Sequence, residues 1–358
     1  TNALAPSTTI AEIHGGNKSA KGNTLNVNTA ATVGKIENFS TVAFKNAASK
    51  LTLTQAGANF DLDSIKADFA ATESEVELVE NANGLALKDN KRFRSDLSTD
   101  GTKETNIEAR DNDKKIVRYG YTIKGATTAT STSTEMWGGR SAAGNSTYDN
   151  KFTVNDGSGK TVYGGYTTGA NGTATDKNDS HTNEVTLTGG TYTNVYGGWT
   201  RDDASSQTAT ADKGNSTDNK VTVDGTATVS GNVYGGMTTV AGGKASNNVV
   251  TINEGVTLND SRYVYGGSAE SGSSADYNKV YLNGIHTPGT VYGGSTGTGT
   301  ANGNEVHLNG ATVTGDVYGG AANGTGNLLS VKGVNSAKWI AGFQKLHFDA
   351  TGVAAGET

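Results

Sequence analysis

Five histidines are the side chains of this sequence best suited to acid–base chemistry near neutral pH. They are spread along the chain, and no motif such as His-Glu-x-x-His or a Walker loop accompanies them. The chain contains no cysteine, which rules out disulfides. The sequence therefore predicts a protein that is not an enzyme, with no catalytic residue, no metal and no cofactor, although it contains His14, His181, His286, His307 and His347.

Acidic residues form two close groupings, Asp111/Asp113 and Asp202/Asp203. Carbohydrate-cleaving enzymes need carboxylates that converge on one site. Calcium requires about six to eight oxygen ligands. Both groupings fall in loop-like sequence, so we expect hydration or at most weak calcium binding there.

The charge balance argues against nucleic acid as a partner. The net charge is −6, and the densest basic stretch, Lys88 to Arg94, is short and interrupted by acidic residues. Glycine is abundant at 50 residues while proline is rare at 2, which is typical either of disorder or of short strands joined by tight turns. The regular spacing of the apolar residues favours the second.

A four-residue motif, an apolar residue followed by an aromatic residue and two glycines, recurs seven times. Successive aromatic residues lie 26, 33, 38, 31, 27 and 26 positions apart, which indicates a constant repeat that carries loops of different length. The aromatic residues are Trp137, Tyr163, Tyr196, Tyr234, Tyr265, Tyr292 and Tyr318.

A second motif lies between these, in which an asparagine is followed by two apolar residues at every other position. Asn219, Val221 and Val223 are one example. This alternation predicts a strand with one apolar face, which a single repeat cannot bury but stacked repeats can. The two motifs together predict an all-β solenoid, with asparagine side chains stacked between its repeats.

The aromatic positions allow two interpretations. If the strand stays straight, Tyr234 faces outward and its counterparts lie about 4.8 Å away in neighbouring repeats. Such a column could bind sugar rings or another chain, or it could only stabilise the stack. The paired glycines could instead bend the chain and tuck the ring into a corner.

The longest loops are predicted at 166–182 and 199–218, with Tyr166 and Trp199 as candidate ligand contacts.

Part of the sequence is duplicated. Residues 11–44 match residues 315–348 at a constant offset of 304 without a gap, as in the pairs Phe39/Phe343 and Phe44/Phe348. Both copies should have the same geometry. We therefore divide the chain into the end of a first aromatic-Gly-Gly array (1–35), an intervening β-rich segment (36–130), a second array (131–325) and a second junction (326–358). One stretch of the intervening segment, Asp63 to Val79, has apolar spacing loosely compatible with a helix.

These repeats, with Ile36-Glu37-Asn38-Phe39 and Ile340-Ala341-Gly342-Phe343 at the two junctions, resemble passenger regions of bacterial autotransporters. The resemblance implies a right-handed parallel β-helix with variable loops between its repeats. It also implies export through an outer-membrane β-barrel translocator outside this chain. The location would then be extracellular, secreted or at the surface of a Gram-negative bacterium.

The leading functional hypothesis is a non-enzymatic surface module, an adhesin or aggregation factor that acts as a rigid display rod. Its partners would be a host or bacterial surface glycan or protein, or a second copy of itself. A carbohydrate-active β-helix enzyme and a subunit of an extracellular fibre are the alternatives. Because open strand edges are normally covered by further repeats or a cap, we also expect the protein to continue in both directions.

Overall fold

The computed structural model describes residues 10–17, 22–168, 179–201, 214–259, 262–269, 273–287, 289–320 and 324–351. These residues form β-strands and two short 3-10 helices, which confirms the all-β prediction. None of the helices in this part of the chain is long and apolar enough to cross a membrane. The chain divides into two compact units, Thr1–Tyr121 and Thr122–Thr358.

The first unit contains twelve of the described strands. They are β1 (Ile10–His14), β2 (Thr24–Val27), β3 (Ala31–Glu37), β4 (Thr41–Phe44), β5 (Leu51–Leu53), β6 (Ala58–Phe60), β7 (Ile65–Ala67), β8 (Val76–Glu80), β9 (Leu85–Leu87), β10 (Phe93–Leu97), β11 (Lys103–Arg110) and β12 (Lys115–Thr122), whose last residue belongs to the second unit. The 3-10 helices are Leu62–Ser64 and Lys88–Asn90.

Parallel pairing dominates the start of this unit. Strands β1, β3, β5 and β8 pair in parallel within a seven-stranded sheet that ends with β12, β11 and β10. A second parallel sheet contains β2, β4 and β7. Alternate residues of these strands, such as Leu25, Val27, Val42 and Phe44, face one shared apolar core.

The region predicted as loosely helical, Asp63 to Val79, contains β7 and β8 and no α-helix. That expectation was wrong. Ile65, Phe69 and Val76 are too widely spaced to form a continuous helical stripe. Ile65 instead enters the shared core from strand β7.

The second unit contains the remaining strands. They are β13 (Thr130–Ser131), β14 (Glu135–Ser141), β15 (Thr147–Tyr148), β16 (Lys151–Val154), β17 (Lys160–Thr168), β18 (Ser180–His181), β19 (Glu184–Leu187), β20 (Thr191–Arg201), β21 (Ser216–Thr217), β22 (Lys220–Val223), β23 (Thr228–Val229), β24 (Val233–Thr238), β25 (Val249–Ile252), β26 (Thr257–Leu258), β27 (Tyr263–Ala269), β28 (Lys279–Asn283), β29 (His286–Thr287), β30 (Thr290–Thr296), β31 (Glu305–Asn309), β32 (Thr312–Tyr318), β33 (Leu328–Lys332), β34 (Ser336–Ala341) and β35 (Lys345–Asp349).

Two long parallel sheets organise this unit. The aromatic-Gly-Gly motifs lie on β14, β17, β20, β24, β27, β30 and β32, which are neighbours in that order in a twelve-stranded sheet. The seven asparagine-led strands β16, β19, β22, β25, β28, β31 and β33, followed by β35, which Gln344 precedes, form an eight-stranded sheet in chain order. Apolar residues of both sheets, among them Val221 and Val233, belong to one buried core.

Matching residues of consecutive repeats pair directly, so the register is the same from repeat to repeat. Tyr196 pairs with Tyr234, and Tyr234 pairs with Tyr265. Connections of different length therefore lead back to the same position in the stack. Because the alternation of side chains has a period of two, this constant register keeps every valine of the motif in the core.

The duplicated segments have the same strand pairing, as their sequences predict. Ile13 pairs with Ile36 in the first copy, and Val317 pairs with Ile340 in the second. Likewise Val27 pairs with Phe44, and Val331 with Phe348. Phe39 and Phe343 are both partly buried against the core of their own unit.

The four segments derived from the sequence map onto two units. Segment 1–35 and nearly all of 36–130 belong to the first unit, while 131–325 and 326–358 belong to the second. The division into four segments itself stays a prediction.

The two copies differ in burial, which gives a matched test. Phe44 is 0% exposed while Phe348 is 60% exposed. Phe44→Ala should lower the free energy of unfolding by about 3–5 kcal/mol because it opens a cavity in a packed core. Phe348→Ala, the same change 304 residues later, should cost under about 1 kcal/mol. Urea denaturation followed by circular dichroism measures both, and equal losses would contradict the two burial states.

Candidate functional site

The predicted aromatic column forms an ordered ladder. From Tyr163 through Tyr196, Tyr234, Tyr265 and Tyr292 to Tyr318, consecutive ring centroids are 4.8–5.1 Å apart and consecutive ring planes differ by 2–16°. Trp137 pairs in register with Tyr163 at the start of the same column. Because an inner ring has a neighbour on each face, it offers only its edge and its hydroxyl to a ligand.

Two ladder hydroxyls are bonded to side chains two positions earlier in the sequence. Asn232 Nδ2 donates to the Tyr234 hydroxyl at 3.0 Å, and the Tyr318 hydroxyl donates to Asp316 at 3.1 Å. Asp316 lies on the same side of strand β32 as Tyr318, as the two-residue period requires, and Asn232 directly precedes strand β24. These bonds fix the rings and hold polar groups beside them.

Solvent reaches only part of the ladder. Trp137, Tyr163, Tyr196 and Tyr234 are buried, while Tyr265, Tyr292 and Tyr318 are half-buried. Tyr263 lies beside the half-buried end, is 40% exposed, and tilts against Tyr265 and Tyr292 at centroid distances of 5.8 and 6.2 Å. We call Tyr263, Tyr265, Tyr292 and Tyr318 the outer aromatic patch. Tyr263 could have been identified from the sequence, because it lies two residues before the ladder residue Tyr265.

Tyr166 and Trp199, the candidate loop contacts, lie in strands β17 and β20 and not in loops. Tyr166 stacks on Tyr163 at 4.9 Å, and Trp199 stacks on Tyr196 at 5.0 Å. Arg201 lies over the Trp199 ring at 5.8 Å, a cation–π contact. Most of the two predicted long loops falls in residues 169–178 and 202–213, outside the described residues.

Desolvation perturbs the ladder phenols. Burial raises the pKa of Tyr163, Tyr196 and Tyr265 well above the ordinary value, because a phenolate between stacked rings would lose its hydration. Tyr192, whose hydroxyl donates to the Val154 carbonyl oxygen inside the core, has its pKa raised to about 12 for the same reason. The ladder is therefore neutral at physiological pH.

The recurring asparagines form a second ladder inside the stack, as predicted. Each is buried, and the side chain of each except the last, Asn327, donates to the side-chain oxygen of the next at 2.7–3.4 Å. The backbone N–H of each of these six also donates to that same oxygen. We call Asn150, Asn183, Asn219, Asn248, Asn278, Asn304 and Asn327 the asparagine ladder. Gln344 accepts the last of these backbone bonds, from Asn327.

The five histidines remain apart in the structure. His14 is bonded to Glu12, His181 stacks on Tyr148, and His307 stacks on Tyr281. His347 lies within 3.4 Å of the Ser330 hydroxyl, and His286 lies on the short strand β29. Within the described ranges, no group of three or more His, Cys, Asp or Glu residues is arranged to hold a metal ion.

Of the two acidic groupings predicted from the sequence, the structure describes Asp111 and Asp113. Asp113 is paired with Arg92 at 2.6 Å and Asp111 with Lys115 at 3.3 Å, so cations of the chain itself neutralise them. Asp202 and Asp203 lie outside the described residues.

One stretch matches the letters of a nucleophile elbow, Gly-x-Ser-x-Gly, at Gly293 to Gly297. A nucleophile elbow places its serine on a sharp turn between a strand and a helix. Here Ser295 lies within strand β30, which extends to Thr296, and no α-helix follows in the described part of the chain. The match is therefore part of the aromatic-Gly-Gly repeat.

No family model, no curated protein and no solved structure matches the chain. The resemblance to autotransporter passengers therefore stays a prediction that depends on the repeat motifs.

The ladder pKa values predict instability in alkali. Tyrosines of the unfolded chain lose their protons from about pH 10, while the buried phenols of the folded chain retain theirs. The free energy of unfolding should therefore be unaffected below about pH 10 and should fall as the pH rises above it. Phenolate absorbance should therefore appear together with loss of the circular dichroism of strands. Reversible ionisation of every tyrosine near pH 10 with the strands intact would contradict the buried ladder.

The asparagine ladder predicts a large effect for one amide. Asn219→Ala removes the acceptor of the buried Asn183 backbone N–H and leaves that donor unsatisfied. The Asn183 side-chain nitrogen loses its bond to Asn219 but keeps the Thr147 carbonyl oxygen and the Ser180 hydroxyl as acceptors. The free energy of unfolding should fall by at least about 2 kcal/mol. As a control, Asn283→Ala removes a part-buried amide that bonds to Asn253 and Asn309 and should cost under about 1 kcal/mol. Equal losses in the free energy of unfolding for Asn219→Ala and Asn283→Ala would contradict a structural role for the asparagine ladder.

Proposed function

We propose that this chain is a right-handed parallel β-helix that acts as a non-enzymatic extracellular display module. The observation that carries this proposal is the constant register of seven consecutive aromatic-Gly-Gly strands, Glu135–Ser141 to Thr312–Tyr318. Parallel strands joined by long connections are almost always connected with a right-handed sense, which supports the handedness.

A display role is also supported by the use of the polar side chains. The asparagine amides bond to one another, the tyrosine rings stack on one another, and Lys151, Glu184 and Lys220 form ion pairs along the outer side of the eight-stranded sheet. Residues that could bind or activate a substrate thus hold neighbouring repeats together. Such an arrangement gives a stiff support.

In this proposal the module is an adhesin or an aggregation factor, exported as the passenger of an autotransporter at the surface of a Gram-negative bacterium. Its partner is a surface glycan or protein, or another displayed copy. The outer aromatic patch is the leading contact surface, because it combines the exposed ring of Tyr263 with the polar groups of Asp316 and Asn232. Asp316 accepts a hydrogen bond from the Tyr318 hydroxyl, and Asn232 accepts one from the Tyr263 backbone N–H. Many weak contacts of this kind gain strength when copies are displayed together.

The test is to display the chain on a non-adherent bacterium and to measure binding to glycan and matrix-protein arrays together with autoaggregation. We expect adhesion or aggregation, and Tyr263→Asn should reduce it. Tyr277→Asn removes another exposed tyrosine, 61% exposed and outside the patch, and should leave it unchanged.

A third variant lacks residues 169–178 and 202–213. Loss of adhesion in that variant but not in Tyr263→Asn would show that the contact surface lies in the deleted connections and not in the outer aromatic patch. If the intact displayed chain confers neither adhesion nor aggregation, the proposed function fails.

A further inference from the structure

The last two described strands of the second unit leave apolar side chains exposed. Ile340 on β34 is 48% exposed, while Leu346 and Phe348 on β35 are 71% and 60% exposed. In the described part of the chain, β34 pairs only with β32, and β35 only with β33. Each strand therefore has an edge without a strand partner. We call Ile340, Leu346 and Phe348, with these two edges, the C-terminal face.

The beginning of the same stack is covered differently. The short strand β13 pairs antiparallel with β14 and lies alongside Trp137 and Met136, so the first aromatic strand has a partner on both sides. Antiparallel coverage of this kind protects a sheet edge from further pairing. The C-terminal face has no such strand among the described residues.

The duplicated copy in the first unit is covered on the corresponding face. Ile36, Val42 and Phe44 are the counterparts of Ile340, Leu346 and Phe348, and they are 6%, 2% and 0% exposed. Strand β5 lies beside β3, and strand β7 lies beside β4. The same sequence pattern is thus buried in one place by two short parallel strands and left open in the other.

We infer that the C-terminal face is a docking surface for a further β-solenoid repeat with the sequence pattern of residues 45–67, in which a pair of strands of the β5 and β7 type adds to β34 and β35. Large apolar side chains at alternate positions beside a free strand edge fit a partner strand that adds to the sheet. This inference rests on the stacked fold in the proposed function and does not depend on adhesion.

The duplication also defines the register of the docked pair. In the first copy Ile65 pairs with Val42, Lys66 with Ala43 and Ala67 with Phe44. Transferred by the offset of 304, the partner's residues of the Ile65 and Ala67 type lie beside Leu346 and Phe348. The residue of the Lys66 type lies beside His347.

The test uses a synthetic peptide of residues 45–70 as the probe. The chain contains no cysteine, so His347→Cys introduces a single thiol. In the docked register a peptide with Lys66→Cys places its thiol on the adjacent strand about 4.8 Å away, within the range that a disulfide spans. We expect rapid mixed-disulfide formation under mild oxidation.

Two controls make this test specific. A peptide with Asp68→Cys in place of Lys66→Cys shifts the thiol two residues along, to roughly 8 Å, and should cross-link about tenfold less. Leu346→Asp in the protein should weaken peptide binding at least about tenfold, whereas Leu97→Asp, at a 53% exposed leucine elsewhere, should not. Both leucines are exposed, so neither change should prevent folding.

Equal cross-linking of the two peptides, or binding unaffected by Leu346→Asp, would overturn the inference. A homodimer of the His347→Cys protein that forms faster than the mixed disulfide and is lost with Leu346→Asp would also overturn it, because a second copy would then cover the face. Adhesion measured with the displayed chain is independent of all these outcomes.

Discussion

The structure depends on how closely neighbouring repeats approach at the paired glycines. A Cβ atom added to Gly235 would lie 2.4 Å from the carbonyl oxygen of Gly266 and 2.9 Å from the Cβ atom of Asn248. No other residue type fits between these backbones without displacing them. The same glycines bring the strand against the asparagine ladder, so the packing of the two sheets and the internal hydrogen bonds have one steric cause.

The location of polar and apolar groups follows from this close approach. Asparagine can bond to the next repeat because the repeats are one strand spacing apart, and the tyrosines stack for the same reason. Both ladders stabilise the stack only while a neighbour is present. In the middle repeats the asparagine amides and the tyrosine rings therefore contact neighbouring repeats, while side chains are more exposed at the half-buried end of the tyrosine ladder and at the C-terminal face.

Much of this arrangement could be predicted because the motifs repeat. The period-two pattern identified the inward valines, and the position of asparagine in phase with them identified the inner ladder. The sequence could not show that Tyr166 and Trp199 belong to strands. The strands extend past the paired glycines, and the residues that follow the glycines do not indicate where each strand ends. It could not separate a ligand-binding column from a structural one either, since that depends on ring orientation. Burial of Phe44 and exposure of Phe348 in matching sequence is likewise a tertiary effect.

The central claim is that the paired glycines are required by close packing of adjacent repeats and not by backbone conformation. Equilibrium unfolding of Gly235→Ala, compared with Gly310→Ala, tests it directly. Gly310 has a φ of 67° and nothing within 4 Å of an added Cβ atom, so alanine there should cost about 1 kcal/mol of backbone strain. Gly235→Ala should cost at least about 3 kcal/mol because the repeats must move apart. A smaller loss for Gly235→Ala than for Gly310→Ala would contradict the account.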